Sequence, residues 1–400
     1  MELRLEELIQ HEPPVLLGAR PNKFSVVKLR EDELYHFAKN EADMEKIDQV
    51  IKKYPVKITE HLRELMKHSE AIRKQYLPSP EEINTVGTPV PFEEGKESAK
   101  TYGLERVYRD RVLIAPNFDC PAYCRYCYKK SRVLKGKRGM TYDEIDNAID
   151  EISKMEEVRG IVVTGGEPFL NIDKLFYLLD GIRSLKNIHE TRIGTRTLLN
   201  QPDLFTDELA NRLASYNQPD FFNPENSKYL AFNVQFNHPD ELSTEVVKAC
   251  HKLTSRGFIL RNQAVLLKGI NDDARTIKKL FSLLLRNNII VYYFNHCMPV
   301  EGADHLRTSV QKGLSIYQHL CTESSSIVPN YVFATPGGKT HLGADSKLKY
   351  QEIEGVRYVE TVMPYMAEEF MKITKKNLPL LHEATPEGLL KGLYLDGKDE

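Results

Sequence analysis

From Arg111 onward the chain alternates short β-rich runs with amphipathic stretches, and no other feature limits its possible folds so tightly. The β-rich runs lie at 111–116 (RVLIAP), 160–166 (GIVVTGG), 191–195 (TRIGT), 229–236 (YLAFNVQF), 260–267 (LRNQAVLL) and 288–294 (NIIVYYF). Between them, apolar residues recur at helical spacing over 143–155, 172–185, 243–255 and 273–285. Repeated β-α units bury one helix stripe against one sheet face, which predicts an α/β fold built on a parallel sheet or barrel. In such a fold the functional groups sit just beyond the strand C-termini.

The flanks differ from this middle. Up to about Arg106 the sequence is charged and helical in pattern, with ITEHLRELM at 58–66 and with Pro78 and Pro80 closing the next helix. A further strand at 331–335 (YVFAT) runs into Pro336-Gly337-Gly338-Lys339, another is expected at 352–362, and the tail after Pro364 reads as a helix followed by a polar end. The expected organisation is therefore a helical region over 1–106, a core over 107–345 and a C-terminal extension over 346–400.

Charge narrows the partners. Across 400 residues, 55 Lys and Arg nearly balance 57 Asp and Glu, so no overall field favours nucleic acid or an anionic membrane, and a small-molecule partner is expected. The start, MELRLEELIQHEPP, lacks a signal-peptide core, and no run is long and apolar enough to span a bilayer, which predicts a cytoplasmic protein. Of six cysteines three fall within eight residues, a spacing that suits a metal in a reduced compartment. Cys250, Cys297 and Cys321 read as buried free thiols.

The close set is Cys120-x3-Cys124-x2-Cys127, on a loop after the first core strand. A zinc site closes with four ligands, and here the fourth would have to be a distant Cys or His. Three thiolates on an iron–sulfur cubane leave one iron open to an exogenous ligand. A zinc knuckle with a remote ligand is the alternative. With Tyr126 just before the last cysteine, the motif resembles that of the radical S-adenosylmethionine (radical SAM) superfamily. A second motif, Thr164-Gly165-Gly166-Glu167-Pro168 after the second core strand, looks like the superfamily's GGEP segment.

That resemblance implies a partial (β/α)6 TIM-like barrel with a helical N-terminal extension. It also implies a [4Fe-4S] cluster on Cys120, Cys124 and Cys127 that cleaves S-adenosylmethionine to a 5′-deoxyadenosyl radical. A flavodoxin- or ferredoxin-type reductant would supply the electron. Tyr126, Gly165, Gly166 and Glu167 would then bind S-adenosylmethionine.

Over roughly 54–339 the chain is similar to the lysine 2,3-aminomutase family. The similarity runs through YPVKIT (54–59), IRKQ (72–75), YRDRVL (108–113), RIGTRT (192–197), FNHPDEL (236–242) and NQAVLLKGIND (262–272). It implies that Arg196, His238 and Gln263 lie at the S-adenosylmethionine end of the barrel; for His238 alone, a turn residue before Pro239 is the plain alternative. It further implies pyridoxal 5′-phosphate held by Lys339, in a glycine run two residues shorter than the family's, although a lysine after Gly-Gly is otherwise an ordinary turn residue. The basic run Lys129, Lys130, Arg132, Lys135, Lys137 and Arg138 follows the cluster motif. Arg132 is the preferred anion contact, and the lysines read equally as a solvated run or a dock for an acidic electron donor.

In lysine-specific members two aspartates grip the substrate's distal ammonium, and Met298 and Ala334 stand in their places. An ammonium buried there unpaired would cost on the order of several kcal/mol, so an amino acid other than free lysine is expected. His296, Met298 and Thr335 are candidate lining residues of an apolar or small substrate site. The family's longer members bind zinc through cysteines near the C-terminus; none follows Cys321 here, so no structural zinc is expected. A homo-oligomer stays open. Two rivals to an aminomutase-like isomerase remain. One is a radical enzyme without pyridoxal phosphate, such as a dehydrogenase, epimerase or peptide-modifying enzyme; the other is a non-catalytic iron–sulfur electron-transfer or sensing protein.

Overall fold

A computed structural model describes residues 24–87, 100–133, 138–324 and 327–399, apart from the side chains of Ser131 and Arg132. The N-terminal stretch MELRLEELIQHEPP and the residues Lys135 and Lys137 lie outside the described residues.

The first layer contains helices α1 (Glu41–Lys53), α2 (Glu60–Met66) and α3 (Glu70–Tyr76). Each starts on a residue whose short side chain accepts a hydrogen bond from a first-turn N–H: Asn40, Thr59 and Ser69. Leu62, Met66, Ile72 and Tyr76 project from α2 and α3 into the main core. After Pro78 a 3-10 turn, Pro80–Ile83, buries Glu82.

A nine-stranded sheet follows. Its strands in chain order are β1 (Leu104–Tyr108), β2 (Arg111–Asn117), β3 (Gly160–Gly165), β4 (Glu190–Thr195), β5 (Tyr229–Val234), β6 (Ile259–Leu266), β7 (Ile289–His296), β8 (Asn330–Thr335) and β9 (Gly338–Leu342). They neighbour one another in sequence order; β2 through β8 are parallel, while β1 and β9 run antiparallel at the two ends. All six strands expected of the core are present, so the chain forms an α/β, nearly closed parallel barrel. Helices α4 (Tyr142–Ser153), α5 (Ile172–Ser184), α6 (Asp207–Ala214), α7 (Thr244–Thr254), α8 (Ala274–Arg286) and α9 (Val310–Glu323) join the strands. In α8, Ile277, Leu280, Phe281 and Leu284 form one buried stripe at i, i+3, i+4 and i+7. Each such side chain contributes about 1.5–3 kcal/mol on burial.

The C-terminal region departs from expectation in two places. The single strand expected at 352–362 is a hairpin, β10 (Tyr350–Ile353) and β11 (Val356–Met366), turning at Glu354 and Gly355, both with positive φ. The tail does contain a helix, α10 (Ala367–Thr374), but its polar end is instead β12 (His382–Ala384) and β13 (Leu389–Leu395), which complete a four-stranded antiparallel sheet. Lys391 and Gly392 mask the alternation that puts Leu390 and Tyr394 inward. This sheet covers the seam between the barrel's two end strands, because α10 packs on β1 and β11 on β9. Met363, Ala367, Phe370 and Leu390 form a small core there with Val107 of β1. No helix among the described residues is long and apolar enough to cross a membrane.

Candidate active site

Strand β2 delivers the chain into the loop of Cys120, Cys124 and Cys127 at the C-terminal mouth of the barrel. Burial first, then charge on Cys127, Glu167 and Cys124, pushes the Cys120 thiol up. The N-terminal layer holds this loop by its backbone, with the Tyr123 N–H donating to the Lys57 carbonyl and the Arg125 N–H to that of Gln75, both at 2.8 Å. The Lys57 ammonium and the Tyr123 hydroxyl also reach Asp119, at 2.8 and 2.6 Å. Their hydrogen bonds outweigh the upward pull of burial and hold the Asp119 carboxyl low.

Beneath the loop lies a buried triad. Glu82 accepts from Arg125 Nε (2.8 Å) and Nη2 (2.7 Å), from Lys130 Nζ (3.0 Å) and from the Ser79 N–H (3.0 Å). Arg125 also donates to the carbonyls of Tyr54 and Pro55. Burial would raise the Glu82 pKa, but the two cations override it and hold the carboxyl at about 2. Lys130, by contrast, is lowered, because burial and the Arg125 charge outweigh the attraction of one shared carboxylate.

On the barrel side, Gly165 and Gly166 let the end of β3 meet the loop. Gly165 has φ +116°, and a Cβ on Gly166 would stand 2.1 Å from the Asp119 carbonyl oxygen. The Glu167 side chain turns inward, accepting from Thr195 Oγ1 (2.7 Å) and the Arg196 N–H (3.0 Å), and burial raises its pKa. Arg196 then fans out, donating to Cys124 Sγ and Glu241, both at 2.9 Å, and to the Tyr126 hydroxyl. That hydroxyl also accepts from Asn237 Nδ2 (2.7 Å), whose Oδ1 takes the Val265 N–H (2.9 Å). The structure thus brings Cys124, Tyr126, Glu167 and Arg196 into one hydrogen-bonded cluster. His238 lies beside it in the plain role, its Nδ1 accepting from the Asp240 N–H and capping the 3-10 turn Pro239–Glu241.

Deeper in, strands β3, β4 and β6 alternate partly exposed with fully buried residues. The buried set packs under the helices and the partly exposed set lines the lumen. Arg111, Arg192, Arg261, Gln263, Tyr293 and Lys339 face this lumen, and Gln263 is the register partner of Tyr293. Lys339 stands across from Ala334 in the β8–β9 ladder, with its ammonium 4.2 Å from the Tyr293 ring centre. Burial, with the charges of Arg111 and Arg192, lowers its pKa to about 8. Glu190 is already committed, at 2.7 Å each, to Arg192 and Arg261.

The sequence profile of the Radical SAM superfamily matches residues 114–281. A putative L-lysine 2,3-aminomutase of Aquifex aeolicus is 36% identical over 296 residues, spanning 72% of this chain and 76% of its own. The L-lysine 2,3-aminomutase of Methanococcus maripaludis is 33% identical over 75% of this chain and 68% of its own. The chain belongs to the lysine 2,3-aminomutase family of radical SAM enzymes. The chain is also similar to a protein named for another substrate, the glutamate 2,3-aminomutase of Clostridioides difficile, 33% identical over 66% of this chain and 63% of its own. Family membership implies a [4Fe-4S] cluster and S-adenosylmethionine, and the residues present fit them: three thiols share one loop, and glycines clear the adjoining strand end.

Three expectations need correction. His296 is turned away from the lumen: its partner Leu266 is buried, and the ring contacts the Tyr331 hydroxyl (2.8 Å) and the Thr308 carbonyl (3.2 Å). Strand alternation sends Asn295 inward and His296 outward, where burial drops its pKa to about 3. Thr335 faces outward for the same reason, its Oγ1 taken up by the turn to β9 and by His382. Lys129 and Lys130 are not solvated; they are 5% and 2% exposed. Met298 follows β7 and stays partly exposed, while the Arg132 side chain lies outside the described residues. The Glu82 triad was missed by sequence reasoning, though the Ser79-x-x-Glu82 capping box before the 3-10 turn was a readable signal.

Proposed function

We propose that this chain is a 2,3-aminomutase-type isomerase acting on an amino acid with a neutral or acidic side chain. Cys120, Cys124 and Cys127 would hold the cluster; Gly165, Gly166, Glu167, Tyr126, Arg196, His238 and Gln263 would surround S-adenosylmethionine; and Lys339 would hold pyridoxal 5′-phosphate. The observation that carries this reading is Lys339 itself, a lumen-facing lysine with its pKa lowered to about 8. An amine that is partly neutral near physiological pH is a ready nucleophile toward an aldehyde, whereas a solvated turn lysine is almost wholly protonated.

When bound, pyridoxal phosphate supplies an electron sink for nitrogen migration, and the cluster with S-adenosylmethionine supplies the hydrogen-abstracting radical. The chain's own residues do the rest. Arg111 and Arg192 place positive charge beside Lys339, which suits a phosphate or carboxylate. Lys57, Gln75 and Glu82 keep the cysteine loop in place, and Arg196 directs an N–H at Cys124. Arg192 and Arg261 share the Glu190 carboxylate, and Arg111 and Arg192 add positive charge beside Lys339. A second ammonium on the substrate would meet net positive charge, which supports a substrate other than lysine.

The test is anaerobic. Reconstituted protein is divided: one portion is trapped with pyridoxal phosphate and borohydride, and another, given pyridoxal phosphate without borohydride, is incubated with S-adenosylmethionine, dithionite and a panel of amino acids. A reduced adduct on Lys339 together with 5′-deoxyadenosine and a β-amino acid product is expected. Deoxyadenosine without the adduct would favour the enzyme lacking pyridoxal phosphate. Neither product, from protein with an intact cluster, would leave an electron-transfer or sensing role.

A further inference from the structure

The turn that carries Lys339 into the lumen is gripped from outside by the C-terminal sheet. Strands β8 and β9 meet in a tight hairpin in which Thr335 pairs with Gly338 and Ala334 with Lys339. Side chains on a ladder alternate faces, so Ala334 and Lys339 look into the barrel while Thr335 and Thr340 look out. A slip of one residue would turn Lys339 outward and put Thr340 in its place.

Three contacts act against such a slip. The Thr340 hydroxyl donates to the Val362 carbonyl of β11 at 2.7 Å. The Tyr365 hydroxyl donates to the Gly337 carbonyl. His382 completes the grip. Its Nδ1 lies 2.9 Å from the Leu380 carbonyl, which can only accept, so that nitrogen carries the hydrogen. In the neutral ring Nε2 is then an acceptor, facing the Gly337 N–H at 3.3 Å and the Thr335 hydroxyl at 3.1 Å. The glycines match this docking. A Cβ on Gly337 would stand 2.8 Å from the His382 ring and 2.9 Å from Leu390, and one on Gly338 would collide with the Tyr365 hydroxyl.

We infer that the C-terminal sheet is the positioning device for Lys339, with His382 and Tyr365 gripping the peptide units of the Pro336–Gly337–Gly338 turn and fixing the register that aims the lysine into the barrel. The role assigned to Lys339 rests on the proposed function; the grip on its turn does not. His382 and Tyr365 are positioning residues and touch no reacting atom.

The experiment uses the full chain and the variants His382→Leu, His382→Gln and Tyr365→Phe. Lys339 is acylated with acetic anhydride across a pH series, read by peptide mass spectrometry, and separately trapped with pyridoxal phosphate and borohydride. The wild type should acylate with a midpoint near 8, against 10.5 for an ordinary lysine. In His382→Leu and Tyr365→Phe the midpoint should climb toward the ordinary value and the trapped adduct fall by about tenfold or more. His382→Gln keeps an acceptor at the Nε2 position and should restore both. Melting temperature and iron content should match the wild type throughout, which a merely structural role would not allow. Tyr365→Phe deletes one oxygen, so it keeps the question open to test even if His382→Leu does not fold. Wild-type midpoints in both His382→Leu and Tyr365→Phe would overturn the inference. A wild type that acylates near 8 but traps no pyridoxal phosphate would instead overturn the cofactor reading, leaving the grip to be judged by acylation alone.

Discussion

Replacing Glu82 with alanine should loosen the cysteine loop more than any other single change outside the thiols. Glu82 is fully buried, and the two cations it holds, Arg125 and Lys130, are 1% and 2% exposed. Removing the carboxylate leaves both charges in a dry interior with carbonyls and the Tyr54 ring beside them, a situation that costs about 3–5 kcal/mol. Arg125 lies between Cys124 and Tyr126, and Lys130 lies three residues past Cys127, so the loss falls on that loop first. The assay is amide hydrogen exchange of the peptide covering 119–130, paired with iron per chain after anaerobic reconstitution. Exchange there should accelerate by about two to four orders of magnitude, the kinetic equivalent of that free energy for local opening, while the helices under the barrel stay protected. Lys130→Met removes the surplus cation and leaves the two-pronged Arg125 pairing, so it should cost much less. The pH dependence has a definite sign. The Glu82 pKa is depressed from 4.5 to about 2, so its contribution is present above 4.5 and fades as pH falls toward 2. Near-native exchange with full iron content in Glu82→Ala would refute the argument.

Two further outcomes are expected. Gly166→Ala puts a Cβ 2.1 Å from the Asp119 carbonyl oxygen, so cluster loading should drop sharply while far-ultraviolet circular dichroism stays native. His296 is buried neutral with its pKa lowered from 6.5 to about 3. Stability should therefore be full above 6.5 and decline as pH falls toward 3, by up to about 5 kcal/mol, a limb that His296→Gln should flatten in denaturation series at several pH values.

The barrel was legible because its signals are local. The runs at 160–166 and 191–195 are short and β-rich, and 273–285 carries the helical stripe, whatever surrounds them. The cysteine spacing and Gly165-Gly166 were legible for the same reason, since three thiols within eight residues can reach one centre in almost any loop. Where sequence reasoning erred, the deciding quantity was which face of a strand a residue occupies. His296 and Thr335 lie close in sequence to lumen residues, yet one step of alternation sends them outward. The strand at 389–395 was hidden because Lys391 and Gly392 dilute an apolar pattern that only pairing with β11 makes plain.

By itself, then, the sequence determined the repeating strand–helix architecture, the thiol triplet and the glycine-lined strand end beside it, all set by chemistry within a few residues. Only the tertiary structure decided that Glu82 anchors Arg125 and Lys130 across gaps of 43 and 48 residues, and that His382 reaches the turn before Lys339 across 45. Burial and long-range hydrogen bonds depend on which distant segments meet, and it is these that turn a lysine after two glycines into an inward-facing amine of lowered pKa.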